Sequence, residues 1–229
     1  MQETRTAGLA AERLRTAGYD VTTAIGKTGI VGLLRNGAGP TVMLRADMDA
    51  LPVEEATDLP YASKIKATDR EGTTVPVMHA CRHDMHVAWL VGATTLFAQA
   101  RGAWRGTLIA VFQPAEETAE GAQAMIDDGL FERFPKPEVV LGQHVMVGPA
   151  GTIAGHAGVI TSAADSLQIR FFGRGAHGSM PQATIDPVVM AAATVMRLQT
   201  IVAARTRHLR GGGGQHRVAA GRHNGKRHP

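Results

Sequence analysis

TLIAVFQPAEETAEGAQAMIDD, residues 107–128, decides the fold class. Thr107–Phe112 is an apolar run of strand length with no alternation, the pattern of a strand buried on both faces of its sheet. After Gln113-Pro114-Ala115 and two acids, Ala119–Asp128 carries helical periodicity. Strand then helix is one unit of an α/β domain, and the pattern extends outward from it. Short β-type runs precede it at Val21–Thr23, Ile30–Leu34 and Val42–Ala46, and Glu138–Leu141 follows as an extended segment. Residues 4–17 read as an amphipathic helix, with Leu9 and Leu14 on one face and Gly18 as its stop. A second helix is predicted over 85–99, capped by Asp84, with Val87, Leu90, Val91 and Thr94 at helical spacing. Strands alternating with helices predict an α/β fold built on a mixed, largely parallel sheet.

The character changes after Gly158. Ser166–Phe172 alternates Leu167, Ile169 and Phe171 on one face, as a half-exposed strand would, and Asp186–Ala203 reads as a long helix with Pro187 in its first turn. A strand followed by a helix begins a smaller α+β domain. The boundaries expected are 1–160 for the first domain, 161–206 for the part of the second, and 207–229 for a tail. That tail has Gly211–Gly214 and only Leu209 and Val218 as large apolar residues, so it builds no core and is expected to be disordered.

Composition narrows the function classes. The 229 residues are 44% hydrophobic and 19% charged, which suits a globular chain. No apolar run approaches the ~18 residues of a membrane helix, so no membrane association is expected. Met1 is not followed by a charged-then-apolar leader, and the single cysteine, Cys81, has no internal disulfide partner. A reducing, cytoplasmic setting is the expectation. The formal net charge of +4 is uneven: residues 205–229 hold seven Lys/Arg and no acid, leaving 17 − 20 = −3 for the rest. Seven cations can bind a polyanion weakly and salt-sensitively. The tail has no aromatic residue for stacking and no nucleic-acid-binding motif, so no nucleic-acid partner is expected.

Four segments carry chemistry. His79-Ala80-Cys81-Arg82-His83-Asp84-Met85-His86 is the densest. On an extended segment Cys81 and His83 leave the same face and can meet one cation, a set that favours Zn2+, Mn2+, Co2+ or Ni2+ over Mg2+ or Ca2+. The competing reading is a buried cysteine flanked by surface histidines. Glu116-Glu117 follows the Thr107–Phe112 strand at the carboxyl end, where α/β folds place catalytic groups. One carboxylate can hold a metal while the other moves a proton; the competing reading is an acidic helix N-terminus. His144 ends the run Val139-Val140-Leu141-Gly142-Gln143, and Asp47 and Asp49 lie just beyond Val42–Ala46. Asp49 can orient a ligand as outer-sphere carboxylates do. Their shared position past strand ends points to a metal-dependent hydrolase.

Five ordered motifs carry a resemblance: LRADMDALPVEE (44–55), MHACRHDMH (78–86), FQPAEE (112–117), GQHV (142–145) and GRGAHGSMP (173–181). Together they resemble the amidohydrolase branch of the metallo-aminoacylase/carboxypeptidase family, which holds N-acyl-amino-acid amidohydrolases, hippurate hydrolases and auxin-conjugate hydrolases. The resemblance runs to about Arg205. It implies a zinc-peptidase-like α/β catalytic domain with an inserted α+β lid that carries homodimer contacts. It implies one or two divalent ions held by Cys81, His83, Glu117 and His144, with Glu116 as general base and acid, Asp49 as a supporting aspartate, and His177 polarising the substrate carbonyl. The reaction implied is hydrolysis of N-acyl amino acids to a carboxylic acid and a free amino acid. Cys81 is then a ligand and not a nucleophile, since no base is spaced to activate it.

Three departures from the family pattern stand out. Arg82 occupies the glycine position between two implied ligands, where a side chain resists unusual backbone and a cation opposes a second cation. The chain is expected to start inside the family's first helix and to stop within the lid, before a further ligand histidine. The basic tail is expected to be a frameshift product. The alternative functions weighed are an inactive metal-binding fragment and polyanion binding through the tail.

Overall fold

The computed structural model describes residues 2–155, 157–159 and 167–201. The chain divides into two compact units, Met1–Gly148 and Pro149–Pro229. The expectations for Ser166, for the end of the second long helix at 202–203 and for the tail 207–229 lie outside the described residues.

The first unit is built on a five-stranded mixed sheet. In chain order its elements are α1 (Thr4–Thr16), β1 (Asp20–Ile25), β2 (Gly29–Asn36), β3 (Thr41–Asp47), the small strands β4 (Lys66–Thr68) and β5 (Thr74–Pro76), α2 (His83–Gln99), β6 (Gly106–Gln113), α3 (Gly121–Asp127), α4 (Leu130–Arg133) and β7 (Val139–Gly142). The strand order is β1-β2-β6-β3-β7, with β4 and β5 forming a separate antiparallel pair. β1–β2 and β2–β6 are antiparallel; β3–β6 and β3–β7 are parallel. The Thr107–Phe112 run is the central strand β6, paired on both edges, which is why its sequence is apolar without alternation.

Side chains alternate across β6 into two cores. Leu108, Ala110 and Phe112 pack with Ile30, Leu34 and Ala46 beneath α1 and α2. Ile109 and Val111 pack with Val31, Leu33 and Met43 against Met125 and Leu130 of α3 and α4. The result is helix, sheet, helix. Gly32 of β2 lets α1 settle closely, since a Cβ there would lie 2.7 Å from Leu14 Cδ1. Among the described residues no helix is long and apolar enough to cross a membrane.

Three local expectations are corrected. Leu14 is fully buried but Leu9 is exposed; five residues apart, they stand well over a quarter-turn from each other, and Ala7, Ala10 and Ala11 complete the buried face instead. Asp84 does not cap α2: the cap position is Arg82, and Asp84 sits in the first turn, where its charge suits the helix dipole. Ala119 and Glu120 precede α3 rather than belonging to it.

In the second unit Leu167–Phe172 forms no strand, and Leu167 and Phe172 are exposed. Alternation alone does not make a strand without a partner for its backbone groups. The pairing present nearby is a single antiparallel bridge, Arg174 with Ile185. The long helix is present as α5 (Pro187–Thr200), with Pro187 at its start and the Asp186 carboxylate accepting from the Val188 N–H at 2.8 Å.

Candidate metal centre

Because β3, β6 and β7 run parallel, their carboxyl ends emerge at the same edge of the sheet. Asp47 ends β3 and Asp49 follows it, Glu116 and Glu117 follow β6, and His144 follows β7. Cys81 and His83 arrive at this edge from the turn that opens α2. The segment is not extended, as the two-residue spacing assumed. Arg82 adopts φ 66°, ψ 28°, in the left-handed region, and this reversal is what turns both neighbours inward.

The buried His83 ring is the centre of the arrangement. Its Nδ1 lies 2.9 Å from Asp49 Oδ1, and the other Asp49 oxygen accepts from the Glu117 N–H at 2.9 Å. Asp49 thereby orients a histidine and fixes the loop that carries both glutamates. The ring's far nitrogen, Nε2, is buried and has no hydrogen-bond partner. Three carboxylate oxygens stand 3.9 Å from it: Asp47 Oδ2, Glu116 Oε2 and Glu117 Oε1. Cys81 Sγ and His144 Nε2 lie 3.5 Å apart, and both group with His83 within the span of one ion's ligands. An orphaned imidazole nitrogen among acids, thiol and a second imidazole costs free energy unless a cation joins them. The donors therefore fit a divalent ion of intermediate softness.

The electrostatics agree. The Cys81 thiol is pushed up to about 12, first by burial and then by Glu117, Glu116 and Asp47, so these acids favour any positive charge placed among them. Burial opposes charge on His83, but its bond to Asp49 and the charges of Asp47, Asp49 and Glu117 outweigh it and raise its pKa. Asp47 and Asp49 are held below the usual carboxylate range: burial works against them, but His86, Arg45 and His83 around Asp47, and His83 with the Glu117 N–H around Asp49, more than offset it.

The structure thus brings Cys81, His83, Glu116, Glu117, His144 and Asp49 together. His177 belongs to the second unit, where its Nδ1 lies 2.8 Å from Ser179 Oγ. The sequence assigned no role to Asp47 and His86, which form a fully buried pair with Asp47 Oδ1 2.5 Å from His86 Nδ1. A signal was available: His83, His86, Leu90 and Thr94 recur at helical spacing along the buried stripe of α2.

A family model described as Peptidase family M20/M25/M40 matches residues 43–218. Hippurate hydrolase of Campylobacter jejuni is 44% identical over 199 residues, covering 86% of this chain and 49% of its own length. N-acetyl-L-cysteine deacetylase of Bacillus subtilis is 36% identical over 203 residues, covering 88% and 46%. A solved Bacillus subtilis structure, described as a dinuclear metal binding peptidase from M20 family, superposes with a TM-score of 0.55 at 34% identity over 63% of this chain and 38% of its own. The chain spans about half the length of the curated relatives it matches.

Proposed function

The chain belongs to peptidase family M20/M25/M40, and from that premise we propose that it serves the metal-dependent hydrolysis of N-acyl amino acids to a carboxylic acid and a free amino acid. The observation that carries the reading is the unpartnered, buried Nε2 of His83, facing Glu116, Glu117 and Asp47. The relatives' names support the substrate class: hippurate and N-acetyl-L-cysteine are both amino acids acylated on nitrogen.

Cys81, His83, Glu117 and His144 would hold one or two ions of Mn2+, Zn2+, Co2+ or Ni2+. When bound, a divalent ion supplies Lewis acidity to the scissile carbonyl and to the attacking water. The protein's own work is proton transfer and orientation. The Glu116 side chain is the more exposed of the two, at 40% against 25% for Glu117, although Glu117 is the more exposed residue once its backbone is counted; it is the exposure of the carboxylate that suits Glu116 to face substrate. Its carboxylate takes a proton from the attacking water and returns it to the departing amine nitrogen. Asp49 keeps His83 in the tautomer that points Nε2 inward. By the family resemblance, we infer that His177 polarises the substrate carbonyl and that residues 161–206 carry homodimer contacts.

The test is release of free amino acid from N-benzoylglycine and N-acetyl amino acids by the chain, chelated and then resupplied with Mn2+ or Co2+. Turnover that requires the ion and is lost in Glu116→Ala, with Co2+ affinity retained, supports the assignment. Turnover surviving a chelator, or near-normal rates in Glu116→Ala, overturns it. Tight Co2+ binding with no amino acid released from any of these substrates rejects hydrolysis for this chain and leaves a metal-binding protein.

A further inference from the structure

The acid–histidine pair that the proposed mechanism leaves unused has a defined destination. His86 is fully buried on α2. Its Nε2 lies 3.0 Å from the backbone N–H of Val145, and a backbone N–H only donates, so Nε2 is the acceptor. The proton of the neutral ring therefore sits on Nδ1, where it is donated to Asp47 Oδ1 at 2.5 Å. Asp47 is anchored in turn by Arg45, whose Nη1 lies 2.7 Å from Oδ2 and whose Nε donates to Gln113 Oε1 at 2.9 Å. The chain of bonds thus starts on the central sheet and ends on the peptide of Val145.

Val145 follows His144 in the chain, and its carbonyl, which belongs to the next peptide group, is also used. The carbonyl oxygen of Val145 lies 2.8 Å from His144 Nδ1; a carbonyl only accepts, so Nδ1 of His144 carries the proton and Nε2 is left as a lone pair beside Cys81. His144 is exposed and has left strand β7, so the ladder no longer orients it. The Gln143 side chain adds a weak 3.4 Å contact to the His86 carbonyl.

We propose that His86, held by Asp47 and Arg45, is a positioning residue that fixes the backbone at Val145 and through it the tautomer and aim of His144. The proposal rests on the reading of His144 as a metal ligand, and its test separates the two. Its substance is that an exposed ligand at the end of a strand takes its precision from a buried bond network on a neighbouring helix.

The experiment uses the whole chain, with Co2+ alone as the probe. His86→Asn keeps an amide able to reach Asp47 and is too short to accept from Val145; His86→Gln is one methylene longer and restores the acceptor. Co2+ affinity and the d–d and thiolate-to-cobalt absorption bands are measured for both, and again in a His144→Ala background. Outer-sphere partners of metal ligands typically contribute about 10–100-fold in affinity. His86→Asn is expected to lose about that factor and to change the d–d bands while the Cys81 thiolate band persists, with His86→Gln recovering most of the loss. In the His144→Ala background, His86→Asn should cost nothing further. Additive losses, or an unchanged affinity in a folded His86→Asn, overturn the proposal. Long-range 15N correlation spectra of the unmutated chain without metal give a test that needs no variant. Both His86 and His144 are expected as Nδ1–H tautomers, and an Nε2–H form of either refutes the network. If the unmutated chain binds no Co2+, the metal reading fails, whereas the tautomers still decide the network.

Discussion

Arg82 offers a quantitative test of how the candidate metal centre is built, through the pair Arg82→Ala and Arg82→Gly. Both variants remove the cation between Cys81 and His83; only the second also removes Cβ. At φ 66° a residue with Cβ crowds its own carbonyl, at a cost of about 1–2 kcal/mol. Glycine forfeits about 0.5–1 kcal/mol of this through its greater freedom in the unfolded chain. Arg82→Gly should therefore be more stable than Arg82→Ala by roughly 0.5–1 kcal/mol, a melting difference of about 1–4 °C for a chain of this size. Thermal unfolding followed by far-UV circular dichroism, in chelator, reads the difference directly. Arg82 is exposed, so the charge effect is the smaller one. Both variants should bind Co2+ on the order of a few-fold more tightly at low ionic strength, with the gain shrinking as salt is added. If Arg82→Ala melts at or above Arg82→Gly, the left-handed turn between the two donors is not what opens α2, and the account of how Cys81 and His83 converge is wrong.

Tyr19 is buried, its hydroxyl donates to the Thr94 carbonyl at 3.0 Å, and burial raises its pKa above the ordinary phenol value. A raised folded pKa means stability that is complete below pH ~10 and is lost as pH climbs toward the folded value. Tyr19→Phe should cost about 1 kcal/mol at pH 7 and flatten the alkaline decline in denaturant midpoints measured from pH 8 to 11; an unchanged alkaline limb refutes the assignment. Co2+ or Zn2+ at about 100 times its dissociation constant should stabilise the chain by about 2.7 kcal/mol in a thermal melt, and Cys81→Ala should abolish most of that gain without lowering the metal-free melting point much. Gly32→Ala drives a methyl to 2.7 Å from Leu14 Cδ1, and urea unfolding should show a loss of about 1–3 kcal/mol; a neutral result would mean that α1 shifts freely on the sheet.

The sheet was legible where burial on both faces writes an unmistakable apolar run, as in Thr107–Phe112 and Val42–Ala46, and so was the edge where the donors gather. Helix α2 was legible from Val87, Leu90, Val91 and Thr94 because helical spacing and burial coincide there. Leu9 misled because two leucines near each other in sequence do not share a helix face by virtue of being leucine. Leu167–Phe172 misled because alternation describes a half-buried strand only once a sheet exists to bury it. Asp47 and His86 were left without a role for a different reason. Residue type does not say whether a histidine among several is a donor or the support of another donor, and that distinction lies in a bond to the backbone of Val145.

The position of β6 has a consequence for how the protein is made. β2 and β3 are consecutive in the chain, yet they do not pair; β6, synthesised much later, slots between them. Until Gln113 has left the ribosome, β1 and β2 can form a hairpin, but β3 has neither of its eventual neighbours, and an apolar strand with open edges is what holdase chaperones capture. Cys81 and His83 are translated during that interval, before the strand that Glu116 and Glu117 follow exists. The edge where these donors gather is therefore a product of completed sheet closure, and metal supplied during refolding should change the yield of metal-bound protein without speeding the rate at which the sheet assembles.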